Sequence, residues 1–406
     1  MADLQDDPHE GPGAVTAPAD PPAVPPVPVE AAAELPSQAD TTEPADPADE
    51  AASAAVAEAE AITAVAADAA ATVDAAVRAL LAGHPVVDGH NSLPRMLRLT
   101  PHHDLETSEN SVDTDIPRLR AGGVGAQFWS LLPPQDADGL PAAEDVVAET
   151  LDQLDIARDL VRSYPDSLLL ALGPDELSDA RNRGRIASFL GPVSGRTLTG
   201  SLGPLRAFHA LGVRSLAPAG AAWAEPALTA FGHEAVREMN RLAILLDLAG
   251  CTPEAARRII AASKAPVVVS HAGAAALHPH PRNVPDEVLA ALGAAKGLFM
   301  VSFEPELLGA GEVTLATVAD HLDHARAVAG PHSVGLGAAF GTDPFTPRVA
   351  GLEDPAGYPR LLAELCTRGW SEADLTLLTW SNAQRVLRDA EFTARAAQHR
   401  RSGPSA

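Results

Sequence analysis

From residue 84 onward the chain alternates short apolar runs with longer amphipathic segments. The runs are PVVDGH, GVGAQFWSL, IASFLGP, GVRSLAPA, LAILLDL, PVVVSHA, LFMVSFE and HSVGLGAAF. Most lack strict polar–apolar alternation, as parallel strands buried on both faces do. Between them lie segments such as LGPLRAFHAL, GHEAVREMNRL, TPEAARRIIAASK and NVPDEVLAALGAAK, which carry the helical period. Eight strand–helix units over about 300 residues predict an α/β fold, a TIM-type (β/α)8 barrel rather than a doubly wound sheet. Chemistry in such barrels gathers at the C-terminal ends of the strands. His90 and His271 fall at two of those ends.

The pattern is absent at the N-terminus. Residues 1–50 are Pro, Ala, Asp and Glu, as in ADPPAVPPVPVEAAAELP, and offer too little apolar surface to offset chain entropy. They read as a disordered, partly polyproline tail, either a solubilising spacer or a docking segment. Residues 51–74 are Ala-rich without Pro or Gly and read as a helical connector. Gly83 and Pro85 end that helix, whose last part, AAVRALLAGHP, is expected to pack on the barrel. The barrel is assigned to 75–395 and a disordered C-terminus to 396–406.

Charge sharpens this division. The net charge is −25, and the first 77 residues hold 16 of the 54 acidic side chains and none of the 29 Lys and Arg. No basic run along the sequence points to nucleic acid, and a strongly anionic chain repels phosphate backbones. The start MADLQDDPHEGPG has neither a basic nor an apolar region of the kind a signal peptide needs, and no apolar stretch is long enough to span a membrane. Cys251 and Cys366 are the only cysteines. They form no disulfide framework, which fits a reducing cytoplasm. The preference for Ala, and for Arg over Lys, fits a GC-rich bacterial genome.

Several segments, in order, resemble the membrane (renal) dipeptidases, the M19 metallopeptidases. They are HPVVDGHNSLPRMLR, TDIPRLRAGGVGAQFWSLLPP, SLGPLRAFHALGVRSL, LTAFGHEAVREMNRLAILLDL, KAPVVVSHAGAAALHPHPRNVPDEVL and SNAQRVLRDAE. The resemblance implies the TIM-type barrel independently. It also implies two zinc ions bridged by one carboxylate, which activate a water and polarise a dipeptide carbonyl.

Carried over position by position, the resemblance retains His90 of the first strand, the later His271, and Arg282 in HPRN, which would hold the substrate carboxylate. The other implied groups are missing. Ser92 stands for the Asp partner of the first His, Val193 for the bridging Glu, and Gly250 for the His of the DLSH motif. Gly220 stands for a substrate-side His, and Ala339 for the acid of GGDFDG, whose second Asp falls at Gly341. Full zinc occupancy is therefore not expected, and zinc enters only if the site is rebuilt. Asp88, Glu304, Asp343, Glu225 and Cys251 stand near strand ends as possible replacements. Asp88, two residues before His90, reads more simply as a group that orients the turn.

Other readings stay open. His90 and His271 are either satisfied polar groups in a packed barrel mouth or a single-metal pair. Arg282 either still receives a carboxylate or pairs with Asp286 or Glu287. His278 and His280 read as an exposed loop, and His321 and His324 as helical surface positions. Three functions follow: a non-catalytic homologue serving as a binding or scaffold protein, a metallodipeptidase with a degenerate or rebuilt site, and a hydrolase of metal-free chemistry. The partner is a protein or a small carboxylate or peptide, with neither nucleic acid nor membrane involved. Homodimerisation is an expectation of the resemblance.

Overall fold

A computed structural model describes residue 63 and residues 67–99, 104–107, 112–133, 143–342 and 345–401. The readings for residues 1–50, much of the connector and 402–406 lie outside them. A helix over 67–83 buries Val77, Leu80 and Leu81 and leads into the first strand, as the AAVRALLAGHP segment implies.

Nine parallel strands follow. They are β1 Val86–Asn91, β2 Val124–Leu131, β3 Leu168–Leu170, β4 Ile186–Ser194, β5 Ser215–Ala217, β6 Leu245–Leu246, β7 Val268–Ala272, β8 Leu298–Val301 and β9 Val334–Leu336. Hydrogen bonding runs in the order β6-β5-β4-β2-β1-β9-β8-β7, leaving out β3. The two ends of this path meet where Asp247 bridges Val268 in parallel and Leu248 N–H donates to the Val268 carbonyl at 2.7 Å. The eight strands of the path are the eight apolar runs of the sequence. Every residue of β1, β2 and β4 is buried, which explains why these runs show no alternation.

The extra strand β3 pairs only with the first part of β4, Ile186 to Ser188, while β5 takes the later residues Val193 and Ser194. Its three leucines are too short a run to separate from loop by pattern. At the other end of the chain, the helix Asn382–Arg401 continues past residue 395, where the sequence places the start of a C-terminal tail. No helix among the described residues is long and apolar enough to cross a membrane.

The core falls into two clusters. One centres on Phe128 and Phe189, stacked at 4.7 Å, with Val87, Met300 and Trp380 around them and Val386 and Leu387 of the last helix against them. Full burial of each such side chain contributes about 1.5–3 kcal/mol. The larger cluster joins the strands to the surrounding helices.

Glycines set how closely strands approach across the barrel. A Cβ on Gly337, just after β9, would lie 1.8 Å from the Ser270 carbonyl oxygen of β7, and one on Gly89 would lie 2.9 Å from the same oxygen. Both positions therefore admit only hydrogen at the α-carbon, and β1 and β9 crowd against β7 at the level of the site. Gly337→Ala is expected to cost about 1–3 kcal/mol through overpacking. The denaturant midpoint of the variant measures this, and an unchanged midpoint would show that the strands can separate freely.

Candidate functional site

The crowding brings together two histidines that are distant in sequence. His90, near the end of β1, and His271, in β7, have ring centroids 3.8 Å apart with an interplanar angle of 34°. Ser92 Oγ lies 3.3 Å from His90 Nε2, and Ser270 Oγ lies 2.8 Å from His271 Nδ1. His90 Nδ1 is buried without a hydrogen-bond partner. Below the pair, fully buried Asp88 accepts from the His90 backbone N–H at 3.2 Å and from Ala338 N–H at 3.0 Å. Asp88 thus orients the turn at His90, as its reading anticipates, and ties β1 to the segment just after β9.

Burial sets the protonation of this group. It lowers the pKa of His90 well below the ordinary value, and the neighbouring His271 lowers it further. His271 falls to about 3 through burial and the Arg282 charge. These shifts favour neutral rings, which pack at a tilt without charge repulsion. A general base works best with a pKa near the working pH, and neither ring meets that condition. Burial also raises Asp88 to about 7, against the hydrogen bonds from His90 and Ala338 that favour its charged form.

The other carried-over positions supply no donor. Val193 is wholly buried in β4, paired with Leu131 on one side and Leu216 on the other. Gly250 and Gly220 are exposed and adopt positive φ, 75° and 69°. Glu225 accepts from the Gly220 N–H at 2.8 Å and from the Thr252 N–H at 2.7 Å, so it fastens the two loops together. Ala339 also sits at positive φ, 62°, and its N–H donates to the His90 carbonyl at 3.1 Å. Asp343 lies outside the described residues.

Arg282 departs from one of its two readings. It pairs with neither Asp286 nor Glu287. Its guanidinium meets both oxygens of Glu304 at 3.1 and 2.9 Å and Glu306 at 2.8 Å. Asp286 instead bonds His324 at 2.7 Å. The reason is tertiary: the segment after β8 folds over the HPRN loop and brings two carboxylates on either side of Pro305.

His321 is also corrected from a surface position. It is buried, receives the Ala274 N–H at Nδ1 and lies 3.0 Å from the Leu308 carbonyl through Nε2. His278 and His280 are half-buried and stack at 6.4 Å.

Beside Glu304 a cleft of about 210 Å³ opens between Phe303, Ala339, Phe340 and Arg348. Sequence reasoning misses one wall of it. Arg348 pairs with buried Asp113 at 3.0 Å, and Asp113 also accepts the Gly341 N–H at 2.7 Å. No local motif signals this pair, because its members are far apart along the chain.

Known proteins share this architecture. The family model described as membrane dipeptidase (peptidase family M19) matches residues 74–401. The chain belongs to the membrane dipeptidase family. Dipeptidase 3 of Rattus norvegicus is 36% identical over 335 residues, 77% of this chain and 66% of the relative. Dipeptidase 3 of Homo sapiens is 35% identical over 337 residues, 77% of this chain and 67% of that one. The chain thus spans about two thirds of these relatives. Among solved structures, dipeptidase AC of family M19 superposes with a TM-score of 0.68 at 25% identity, covering 75% of this chain and 98% of that one. The probable dipeptidase PvdM from Pseudomonas aeruginosa reaches 0.72 at 18% identity, over 80% and 99%, and supports the fold alone.

Membership in the membrane dipeptidase family raises the question of the zinc pair. The donor set does not fit it. Two neutral imidazoles and the Ser92 hydroxyl lie close together, but Val193, which the resemblance sets at the bridging position, is buried, and Gly250 has no side chain to offer. Among the described residues no three His, Cys, Asp or Glu side chains are grouped so that they could hold a metal ion. Zinc sites in proteins draw three or four such ligands.

Proposed function

We propose that this member of the dipeptidase family does not hydrolyse peptides and acts as a binding or scaffold protein through its barrel mouth. The observation that carries the reading is the bridging position. Val193 offers no lone pair, and no other described residue supplies an anionic ligand between two cations. Without that bridge the mutual repulsion of two zinc ions is poorly offset.

The groups that remain suit binding. His271, partly exposed, sets a neutral ring beside buried His90, and the adjacent cleft combines aromatic walls with the Glu304 carboxylate. Arg282, the group that would hold a peptide carboxylate in a working relative, is already neutralised by Glu304 and Glu306. A free carboxylate ligand must therefore displace an internal one.

The test is an assay of the purified full chain against a dipeptide panel in excess zinc. Turnover at the uncatalysed background is expected. Robust turnover abolished by a chelator would support the alternative, a metallodipeptidase whose zinc site has been rebuilt with ligands such as Asp343.

A further inference from the structure

We infer that a second ligand site, for a compact pyrophosphate-bearing polyanion, lies at the opposite end of the barrel from His90 and His271. A cleft of about 420 Å³ opens there, lined by Pro85, Val124 and Ile186 at the starts of β1, β2 and β4. At about 3.3 Å per residue, the five residues from Pro85 to His90 separate it from the histidine pair by about 16 Å.

Four arginines line this cleft: Arg78, Arg120, Arg181 and Arg185. Among the described residues its lining contains no acidic side chain. In a chain of net charge −25, that gathering of cations runs against the overall field. Elsewhere the arginines are mostly neutralised: Arg98, Arg118, Arg241, Arg282 and Arg368 each meet a carboxylate. Arg120 and Arg181 instead make their contacts with neutral groups. Arg120 donates to Ser167 Oγ at 2.9 Å, and Arg181 reaches the Gly83 carbonyl at 3.3 Å while lying 5.1 Å over the Trp380 ring. These contacts orient guanidinium groups without cancelling their charge.

The chemistry selects the ligand class. Guanidinium forks bind phosphate oxygens in pairs, and several guanidiniums in one cleft without acids call for an anion carrying several charges in a small volume. A phosphate chain has that density, and a monocarboxylate does not. The cleft volume also falls in the range of small-molecule sites, about 300–1,000 Å³.

Isothermal titration calorimetry on the full chain tests this, with inorganic pyrophosphate, ATP and citrate as probes in about 0.05 M salt, where screening is weak. Pyrophosphate is expected to bind, and more weakly as salt rises. The variant Arg120→Gln/Arg185→Gln should weaken it by about tenfold or more, the equivalent of about 1.4 kcal/mol. Arg258→Gln, on the helix Pro253–Ala262 between β6 and β7 and outside the cleft lining, should leave it unchanged. ATP binding more tightly than pyrophosphate assigns the source to a nucleotide, and equal binding assigns it to the phosphate chain itself. The inference is overturned if pyrophosphate does not bind, if the double variant, folded by circular dichroism, binds as tightly as the parent, or if citrate binds as well as pyrophosphate. None of these outcomes depends on whether the chain hydrolyses dipeptides.

Discussion

Val193→Glu, which restores the carboxylate implied by the family pattern, is expected to destabilise the protein by about 3–5 kcal/mol at neutral pH, the scale of an uncompensated buried charge. Val193 has no exposed surface, and its strand partners Leu131 and Leu216 are both apolar. A carboxylate there loses its hydration and gains no cation. Burial raises the pKa of such a group, so the loss should shrink toward about pH 4, where the carboxyl is protonated. Urea denaturation at the two pH values measures both effects. If zinc returned the variant to parental stability, the metal site would be present in all but one ligand, and the binding-protein reading would fail. Adding Ser92→Asp and Gly250→His brings a further strain, because Gly250 sits at a φ of 75° that histidine rarely adopts.

The second large effect is expected at Asp88. Asp88→Ala removes the acceptor for two buried backbone N–H groups, those of His90 and Ala338. At about 1–3 kcal/mol for each unsatisfied group, the loss should reach about 2–6 kcal/mol. Asp88→Asn keeps an acceptor oxygen and should lose much less. The carboxyl also predicts a pH trend. Its folded pKa, about 7, lies above the ordinary 3.8, so the folded state binds the extra proton within that window. Its contribution to stability is full below the lower value and declines as pH rises through the higher one. A side-chain amide cannot titrate, so Asp88→Asn should flatten this decline. A parent protein whose stability rises over the same window, with no difference from the amide variant, would place the carboxylate in a far more polar setting.

The fold was legible because parallel strands buried on both faces leave unbroken apolar runs, and eight such runs sit between amphipathic segments. The three-residue β3 left no comparable trace. At the site, the His90 and His271 positions could be read from strand ends. Their approach to 3.8 Å could not, because it depends on Gly89 and Gly337 letting strands crowd across the barrel. Proximity along the chain offers Arg282 only Asp286 and Glu287, whereas its partners Glu304 and Glu306 arrive from a separate segment after β8. His321 carries a helical period but not the identity of the neighbouring segment that covers it. The four arginines of the lower cleft form no basic run, since residues 78, 120 and the pair at 181 and 185 meet only when β1, β2 and β4 align.

The proposed loss of the metal pair has its most direct signature in zinc stoichiometry. The purified full chain is dialysed against micromolar free zinc and its bound metal counted by elemental analysis, alongside His90→Ala/His271→Ala. Less than one zinc per chain is expected at the mouth, with any bound ion lost in the double variant. Two zinc ions per chain in the parent protein, both lost in that variant, would contradict the binding-protein reading.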